Sequence, residues 1–370
     1  MVQRSARTSR ASSALPACYA RVIPGLEPVA ADEITRDLGG EVKRVAREIV
    51  VFRAPAIDRQ LLELRTTEDV FLLAWGTDQL TYRAADLEHI RRWTAHDVDW
   101  EWLLQLHHLV RPKPRGRPTF RLVTQMSGEH GYRRRDAGEA LAQGLAGKLP
   151  AAWRPAEDNA DVEIWLTIHG RTAVCGLRLS DRTMRHRTYK RDHRPASLRP
   201  TLAAAMIRLA DTHDAQVVLD PMCGAGTILA EQLAAARRHG LKLAGVWGGD
   251  RDRDALAASA ANLRRLGAAE LVCWDARRLP LPGQSVDRII SNPPFGKQLG
   301  DPHELGLLYR DMLAEYQRVL RPQGVAVLLV SDLAPLEAAA RGAGWVASRQ
   351  LRVCLLGQPA VISVWRNRSA

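Results

Sequence analysis

The chain has 370 residues, of which 46% are hydrophobic and 25% charged, and it carries a net charge of +12 at pH 7. This length exceeds what one hydrophobic core usually holds, so we expect two or more domains. No apolar run reaches the roughly 20 residues of a membrane-spanning helix. The five cysteines are scattered and show no CxxC pair, which argues against a zinc site or a disulfide framework. Scattered cysteines favour reduced thiols and a cytoplasmic location, and the lack of a long apolar run predicts no membrane partner. The histidines show no ligand-like spacing, so we expect no metal.

The positive charge is concentrated in the first 200 residues. Residues 1–200 carry 33 Lys and Arg against 25 Asp and Glu, a net +8, and residues 201–370 carry 20 against 16, a net +4. One cluster, 111–135, has eight basic residues and one acidic residue, and a second, 181–199, has seven basic and two acidic residues. Basic clusters away from the chain ends favour a polyanionic partner, and an arginine-rich surface without a partner is the alternative.

The first half of the chain predicts two small α+β units after a tail. The first 16 residues are basic, rich in Ser and free of acid, so we expect a disordered tail, with a transit peptide as the alternative. A first unit has a strand, an amphipathic helix and a hairpin, at 19–23, 26–38, 42–45 and 49–52. A second has a strand, a helix and a hairpin, at 120–124, 137–149, 162–168 and 174–179. The segment 111–118, RPKPRGRP, is expected to be a loop.

From about residue 200, apolar strand-like runs alternate with helical stretches. Strands are predicted at 215–220, 243–250, 270–276, 286–291 and 324–331. Helices are predicted at 228–238, 253–265 and 305–320. This alternation predicts a parallel, doubly wound sheet. Two further runs near the C-terminus are expected to pair antiparallel through a turn at 358–360.

In such a sheet ligands bind at the C-terminal strand ends, so the residue that ends each strand is a candidate. The first four strands end in Asp220, Asp250, Asp275 and Asn292. Asp250 is placed to hold ribose hydroxyls. For Asp250 and Asp275 an ordinary helix cap is the alternative.

The glycine loop after the first strand reads DPMCGAGT, in which Gly224 and Gly226 let the backbone approach a ligand. The loop lacks both the GxGxxG pattern and the phosphate-loop lysine, which argues against NAD and ATP. Three successive carboxylates suit a ligand with a ribose and an amine but no phosphate. That description matches S-adenosyl-L-methionine.

Several segments carry a resemblance to a known family. DPMCGAGT at 220–227 and NPPFG at 292–296 resemble motifs of class I S-adenosylmethionine-dependent methyltransferases that act on exocyclic amino groups. The N-terminal part resembles a ferredoxin-like plus THUMP RNA-binding module in IPGLEPVAADEI, FRLVTQMSGEHGYRRRDAGEALAQGL and VCGLRLSDRTMRHRTYKRDHRPASLRPTLAAAMIRLA. Together they resemble the THUMP-domain tRNA (guanine-N2)-methyltransferases.

The resemblance implies roles for the residues of the NPPF motif. The Asn292 side-chain oxygen and the Pro293 carbonyl would accept hydrogen bonds from the guanine amino group, and Phe295 would stack on the target base. Proline carries no N–H, so this turn presents carbonyls alone. Cofactor binding is expected at Asp220, Gly224, Gly226, Asp250, Arg251, Asp275, Ala276 and Asn292.

The resemblance also implies an α/β fold with a Rossmann-like seven-stranded methyltransferase domain behind an α+β module. The expected domains are a tail at 1–16, a ferredoxin-like domain at 17–70, a THUMP domain at 71–182, a linker at 183–200 and the methyltransferase domain at 201–370. A monomer that binds tRNA is expected, with RNA contacts at Arg133, Arg134, Arg135, Arg185 and Arg187. The alternatives are a 23S rRNA guanine-N2 enzyme and an RNA-binding protein with an inactive methyltransferase domain.

Overall fold

The computed structural model describes residues 15–192, 194, 197–295 and 302–367. Most of the predicted tail, residues 1–14, lies outside the described residues, as do residues 296–301 directly after the NPPF motif. Within the described part, no helix is both long and apolar enough to cross a membrane.

The N-terminal part is built on one sheet, whose eight described strands lie in the order β2-β3-β1-β4-β8-β7-β5-β6. The strands are β1 (Cys18–Arg21), β2 (Glu41–Ala46), β3 (Ile49–Arg53), β4 (Asp69–Thr77), β5 (Thr119–Ser127), β6 (Arg154–Pro155), β7 (Val162–His169) and β8 (Thr172–Arg178). The helices are α1 (Glu27–Arg36), a 3-10 turn (Arg59–Glu63), α2 (Ala85–His96), α3 (Trp100–Val110), α4 (Arg134–Leu145) and α5 (Thr183–His186). The two predicted hairpins, β2–β3 and β7–β8, pair antiparallel.

Strand β4 joins the two N-terminal units into one structure. It pairs antiparallel with β1 on one side and with β8 on the other. One apolar cluster runs from Cys18 through Leu61 to Ile164, so the same core covers both units. The expected domain boundary at residue 70 falls inside this strand.

The C-terminal part is a seven-stranded doubly wound sheet, as predicted, with the order β11-β10-β9-β12-β13-β15-β14. Its strands are β9 (Val217–Asp220), β10 (Gly245–Asp250), β11 (Glu270–Cys273), β12 (Val286–Ser291), β13 (Leu320–Val330), β14 (Trp345–Leu355) and β15 (Gln358–Asn367). Its helices are α6 (Pro200–Ala210), α7 (Thr227–His239), α8 (Arg253–Leu263), α9 (Pro302–Val319) and α10 (Leu333–Gly342). The first five strands are parallel, so β9, β10, β11 and β12 end at one edge.

The closing hairpin turns at a different place from the one predicted. The turn between β14 and β15 is Leu356-Gly357, and the segment 358–360 already belongs to β15. Both turn residues have positive φ, 50° and 81°. That combination is typical of the type I′ turn, which matches the twist of a hairpin. Leucine seldom adopts a positive φ, so the residue types at this position did not predict a turn.

Helix α1 packs on both parts of the protein. Ile23, Leu26 and Val29 belong to the apolar cluster of the C-terminal sheet, whereas Ala30 and Ile34 belong to the N-terminal core. The preceding loop contacts the edge strand β14 closely, because a Cβ added to Gly25 would lie 1.9 Å from the carbonyl oxygen of Arg352. Apolar packing and main-chain contact therefore hold the N-terminal part against the C-terminal sheet.

Candidate active site

Asp220 ends β9 and is buried at the centre of the candidate site. Its side chain is 1% exposed. Its Oδ1 accepts hydrogen bonds from the Ser291 hydroxyl at 2.9 Å and from the Met222 amide at 3.2 Å. Burial raises the pKa of this carboxyl to about 7, and the nearby charge of Asp250 adds to the effect. The bond to Ser291 ties the end of β9 to the end of β12, directly before Asn292.

The glycine loop is held by the carboxylate of the neighbouring strand. The Gly224 amide donates to Asp250 Oδ2 at 3.0 Å, and the Asp252 amide donates to Asp250 Oδ1 at 3.0 Å. The N-cap of α8 is Asp252, so Asp250 is not the cap. Gly224 has φ +53° and open space where a Cβ would stand. Gly226 has φ +72°, and its Cβ would meet the Ser259 hydroxyl at 2.2 Å, so it is the packing of α8 that requires a glycine there.

Asp275 and its neighbours form the more open side of the candidate site. The Asp275 side chain is 40% exposed and makes an ion pair with Arg277 at 2.6 Å. This hydrogen-bonded pair holds the pKa of Asp275 at about 2, so the group is a carboxylate at neutral pH. Ala276 is buried and Arg251 is exposed. The prediction that Asp275 ends its strand is wrong, because β11 ends at Cys273 and Asp275 lies two residues beyond it. The three carboxylates form a series from fully buried Asp220 to accessible Asp275.

Trp274 packs between the ends of β9 and β10, although no sequence motif predicts a role for it. Its Nε1 donates to the carbonyl of Pro221 at 3.1 Å. Its ring covers Gly249, where an added Cβ would lie 1.9 Å from the indole. The Cys223 amide donates to the Gly249 carbonyl at 2.8 Å. Two adjacent glycines in β10, an uncommon choice in a strand interior, were the signal that a large side chain lies across that strand.

The NPPF motif follows β12 and presents an unused acceptor. Asn292 Oδ1 is buried and has no hydrogen-bond partner among the residues that the structure describes. A buried acceptor without a partner is costly, and it is typical of a site completed by a ligand. Pro293 is buried, and Phe295 is half-buried against the apolar cluster that contains Ile290. The motif therefore offers oxygen acceptors and an aromatic ring at the edge where the carboxylates lie.

These features are compatible with S-adenosyl-L-methionine, the cofactor of the methyltransferase fold. Asp250 and Asp275 supply negative charge to a ligand that carries an ammonium and a sulfonium, Asp220 adds to it in its ionised form, and this charge would repel a phosphate. The open space at Gly224 lets a ligand approach the main chain. The Asp250 carboxylate already accepts two main-chain amides and retains further lone pairs for hydroxyl donors.

The candidate RNA-binding arginines differ in how available their charges are. The side chains of Arg133, Arg134 and Arg135 are exposed at the start of α4, and Arg135 makes one surface ion pair with Glu139. Arg185 is partly exposed, and its guanidinium lies 3.7 Å from buried Asp69. The first three arginines therefore keep the accessible charge that phosphate binding needs.

Arg187 requires a correction to the sequence analysis. Its side chain is buried, with 8% of the residue exposed. It contacts the Glu231 carboxylate at 3.3 Å and donates to the Arg65 carbonyl at 2.8 Å. Glu231 is itself buried, so the two charges compensate each other inside the protein. Arg187 fastens the linker to α7 and is not available to a phosphate.

We expect Asp250→Ala to weaken the binding of S-adenosyl-L-methionine by about 1.5–3 kcal/mol, because hydroxyl donors lose a charged acceptor. The loss also frees the Gly224 amide. Titration calorimetry measures the change, and NAD should give no binding in the same experiment. The matched control is Asp99→Ala, which removes the side-chain cap of α3 in the N-terminal part and should lower stability more than affinity. Unchanged affinity in the Asp250 variant would contradict the assignment.

Comparison with known proteins agrees with this geometry. A family model described as the RMKL-like methyltransferase domain of UPF0020 matches residues 187–358. A tRNA (guanine(6)-N2)-methyltransferase of Thermus thermophilus is 37% identical over 316 residues, which are 83% of this chain and 86% of that protein. The crystal structure of TrmN from Thermus thermophilus superimposes with a TM-score of 0.77 at 27% identity, covering 95% of this chain and 99% of that one.

A mouse relative matches over a shorter region. The mouse U6 snRNA (guanine-N(2))-methyltransferase THUMPD2 is 36% identical over 200 residues, which are 53% of this chain. The chain spans about a third of the length of that mouse protein, since the match covers 35% of it. The two relatives are thus named for different RNAs.

Proposed function

The chain belongs to the tRNA guanine-N2-methyltransferase family, as its match to the Thermus relative over most of both chains requires, and from this premise we propose that it methylates the N2 amino group of guanosine 6 in tRNA. The observation that carries the chemistry is the buried, unpartnered Oδ1 of Asn292 at the end of β12. The choice of tRNA rests on the 316-residue match. A match of that length must include much of the N-terminal part, which we propose holds the RNA.

The mechanism that we propose is one of positioning. A guanine amino group is a poor nucleophile because its lone pair delocalises into the ring. Hydrogen bonds from its N–H groups to the Asn292 oxygen and the Pro293 carbonyl, out of the ring plane, favour a pyramidal nitrogen with an available lone pair. S-adenosyl-L-methionine supplies an electrophilic methyl group on a sulfonium. Holding the amino nitrogen in line with that methyl group supplies most of the catalysis.

The same residues complete the reaction without a strong base. As the N–CH3 bond forms, the S–CH3 bond would break and its electron pair would stay on the sulfur as a neutral thioether. The methylated amino group would then be cationic and release its proton to water, so no group needs to remove a proton before transfer. Phe295 would stack on the base, which must leave any duplex to enter the site. Asp220 and Ser291 hold the loop that carries these groups through the 2.9 Å bond between them.

The direct test is methylation of defined RNAs by the purified chain. Unmodified tRNA should gain N2-methylguanosine, and mass mapping should place it at position 6. The matched substrate carries inosine at that position, which lacks only the exocyclic amino group, and it should gain no methyl group. Efficient methylation of U6 snRNA or 23S rRNA in place of tRNA would overturn the choice of substrate. Methylation of no RNA, with intact cofactor binding, would favour the inactive alternative.

RNA affinity should come mainly from the N-terminal part, because the carboxylate-lined site cannot attract a polyanion. Replacing Arg133, Arg134 and Arg135 with alanine should weaken tRNA binding. It should also lower the dependence of tRNA affinity on salt concentration by the amount that up to about three phosphate contacts contribute. Affinity for S-adenosyl-L-methionine should not change. The measurement is tRNA binding over a series of salt concentrations.

The control for that variant removes the same charge from another face. Arg47, Arg53 and Arg59 are exposed on the first N-terminal unit, and their triple alanine variant should bind tRNA nearly as the parent does. Equal losses in the two variants would mean that net charge, and no particular surface, drives binding. We further propose that the protein acts as a monomer in the cytoplasm, where its tRNA substrate is found.

A further inference from the structure

The side chain of Asn262 on α8 makes four hydrogen bonds that connect the linker to the glycine loop of the candidate site. The residue is 2% exposed. Its Oδ1 accepts from the amides of Arg191 and Asp192 at 2.9 and 3.0 Å. Its Nδ2 donates to the carbonyl of Asp192 at 3.1 Å and to that of Ala225 at 2.9 Å. Ala225 lies between Gly224 and Gly226, so one side chain holds both segments.

The linker is attached to the same site at a second point. Arg194 makes an ion pair with Asp252 at 2.5 Å. The amide of Asp252 in turn donates to Asp250 Oδ1 at 3.0 Å. Arg191, Asp192 and Arg194 of the linker therefore contact residues that support the glycine loop and the Asp250 carboxylate.

The linker is fastened to the N-terminal part at Arg187, whose guanidinium donates to the Arg65 carbonyl at 2.8 Å. The Tyr189 hydroxyl donates to buried Glu231 at 2.7 Å, and Glu231 also binds Arg65, which follows the N-terminal 3-10 turn. A displacement of the N-terminal part is thus transmitted to the segment that Asn262 holds. Asn262 itself lies outside both the NPPF motif and the glycine loop.

We propose that Asn262 is a positioning residue that couples RNA binding to cofactor affinity by sharing its amide between the linker and the glycine loop. This inference rests on the proposed function, because it takes the loop at Gly224 as part of the cofactor site. RNA bound by the N-terminal part and a cofactor bound by the glycine loop both favour the conformation in which Asn262 holds the linker and the loop together. Each ligand therefore tightens the binding of the other by the same factor.

The test compares cofactor binding with and without tRNA in the full-length protein. In the parent chain, tRNA should tighten binding of S-adenosyl-L-methionine about fivefold or more. In Asn262→Asp, the acceptor for the linker amides remains, but a carboxylate replaces the donor that faces the Ala225 carbonyl. We expect cofactor affinity to fall about tenfold, and we expect tRNA no longer to change that affinity. At saturating cofactor, kcat should stay within about threefold of the parent, so the change appears in KM.

The control is Arg237→Ala, which removes a bond between α7 and the loop after α8, from the guanidinium to the Leu266 carbonyl at 2.9 Å. It touches neither the linker nor the glycine loop, and it should leave the tRNA effect intact even if it lowers the melting temperature. The proposal is overturned if the Asn262 variant keeps the parent's tRNA effect, or if tRNA has no effect on cofactor binding in the parent. A parent chain that binds no S-adenosyl-L-methionine would instead contradict the proposed function.

Discussion

Replacing Asn292 with alanine is expected to lower the rate of methyl transfer by about 100- to 1000-fold, the usual cost of removing one directed hydrogen bond at a reacting centre. Its Oδ1 is buried and unpartnered within the described structure, so the amino group of the substrate would be the donor that it meets. Affinity for S-adenosyl-L-methionine should change by no more than about threefold, because the charged groups of the cofactor site remain. Single-turnover methylation of tRNA measures the rate.

Asn292→Asp is the matched variant, since it keeps an acceptor oxygen at the same place. Its rate should lie between those of the parent and the alanine variant. A rate close to that of the parent in Asn292→Ala would remove the residue from the mechanism. A rate loss that tracks a loss of cofactor affinity would instead make Asn292 a cofactor-binding residue.

The sequence predicted the C-terminal sheet well because strand and helix patterns alternate there without interruption. Buried parallel strands read as continuous apolar runs, and β9, β10 and β12 end in polar residues that mark the edge of the sheet. The strand ends at Asp220, Asp250 and Ser291 were placed to the residue. The position of the candidate site followed from these ends, since ligands bind at that edge.

Helix α2 was missed because its buried face is partly polar. Asp86 is fully buried and accepts hydrogen bonds from the amide and hydroxyl of Thr81. Thr94 is also fully buried and accepts from the indole of Trp75 at 3.0 Å. Apolar periodicity does not reveal such a helix, because two of the residues that face the core are polar and are satisfied by hydrogen bonds from residues outside the helix.

Supporting residues of the site were missed for a related reason. Ser291 and Asn262 act through contacts with residues 71 and 37 positions away in the chain. No local pattern reports such partners. Arg187 was assigned to RNA by its basic neighbourhood, although its partner Glu231 lies 44 residues further along. Charge clusters in sequence indicate composition, whereas pairing in the fold decides which charges stay accessible.

Asp220→Asn is expected to stabilise the protein at neutral pH while it impairs cofactor binding. The pKa of Asp220 is raised to about 7 from its ordinary value of 3.8, mainly by burial. Between about pH 4 and pH 7 the native state therefore holds a proton that the unfolded chain has released. The stability from this group is full below about pH 4 and is lost as the pH rises through 7. At about 1.4 kcal/mol per pKa unit, the loss is about 4 kcal/mol.

The asparagine variant is neutral at every pH and keeps an oxygen for the Ser291 hydroxyl and the Met222 amide. Its free energy of unfolding should equal that of the parent near pH 4 and exceed it by about 2–4 kcal/mol at pH 8, as measured by urea denaturation across this range.

The control for Asp220→Asn lies at the opposite edge of the same sheet. Asp287 accepts main-chain hydrogen bonds from Gln216 and Val217 and pairs with Arg321, and these contacts hold its pKa below the usual range although burial opposes them. Asp287→Asn should therefore destabilise the protein at pH 8. In the Asp220 variant, by contrast, the gain in stability should accompany weaker binding of S-adenosyl-L-methionine, since the ionised carboxylate is what a cationic ligand needs. A pH-independent difference in stability, or full cofactor affinity in Asp220→Asn, would show that cofactor binding does not depend on the ionised carboxylate of Asp220.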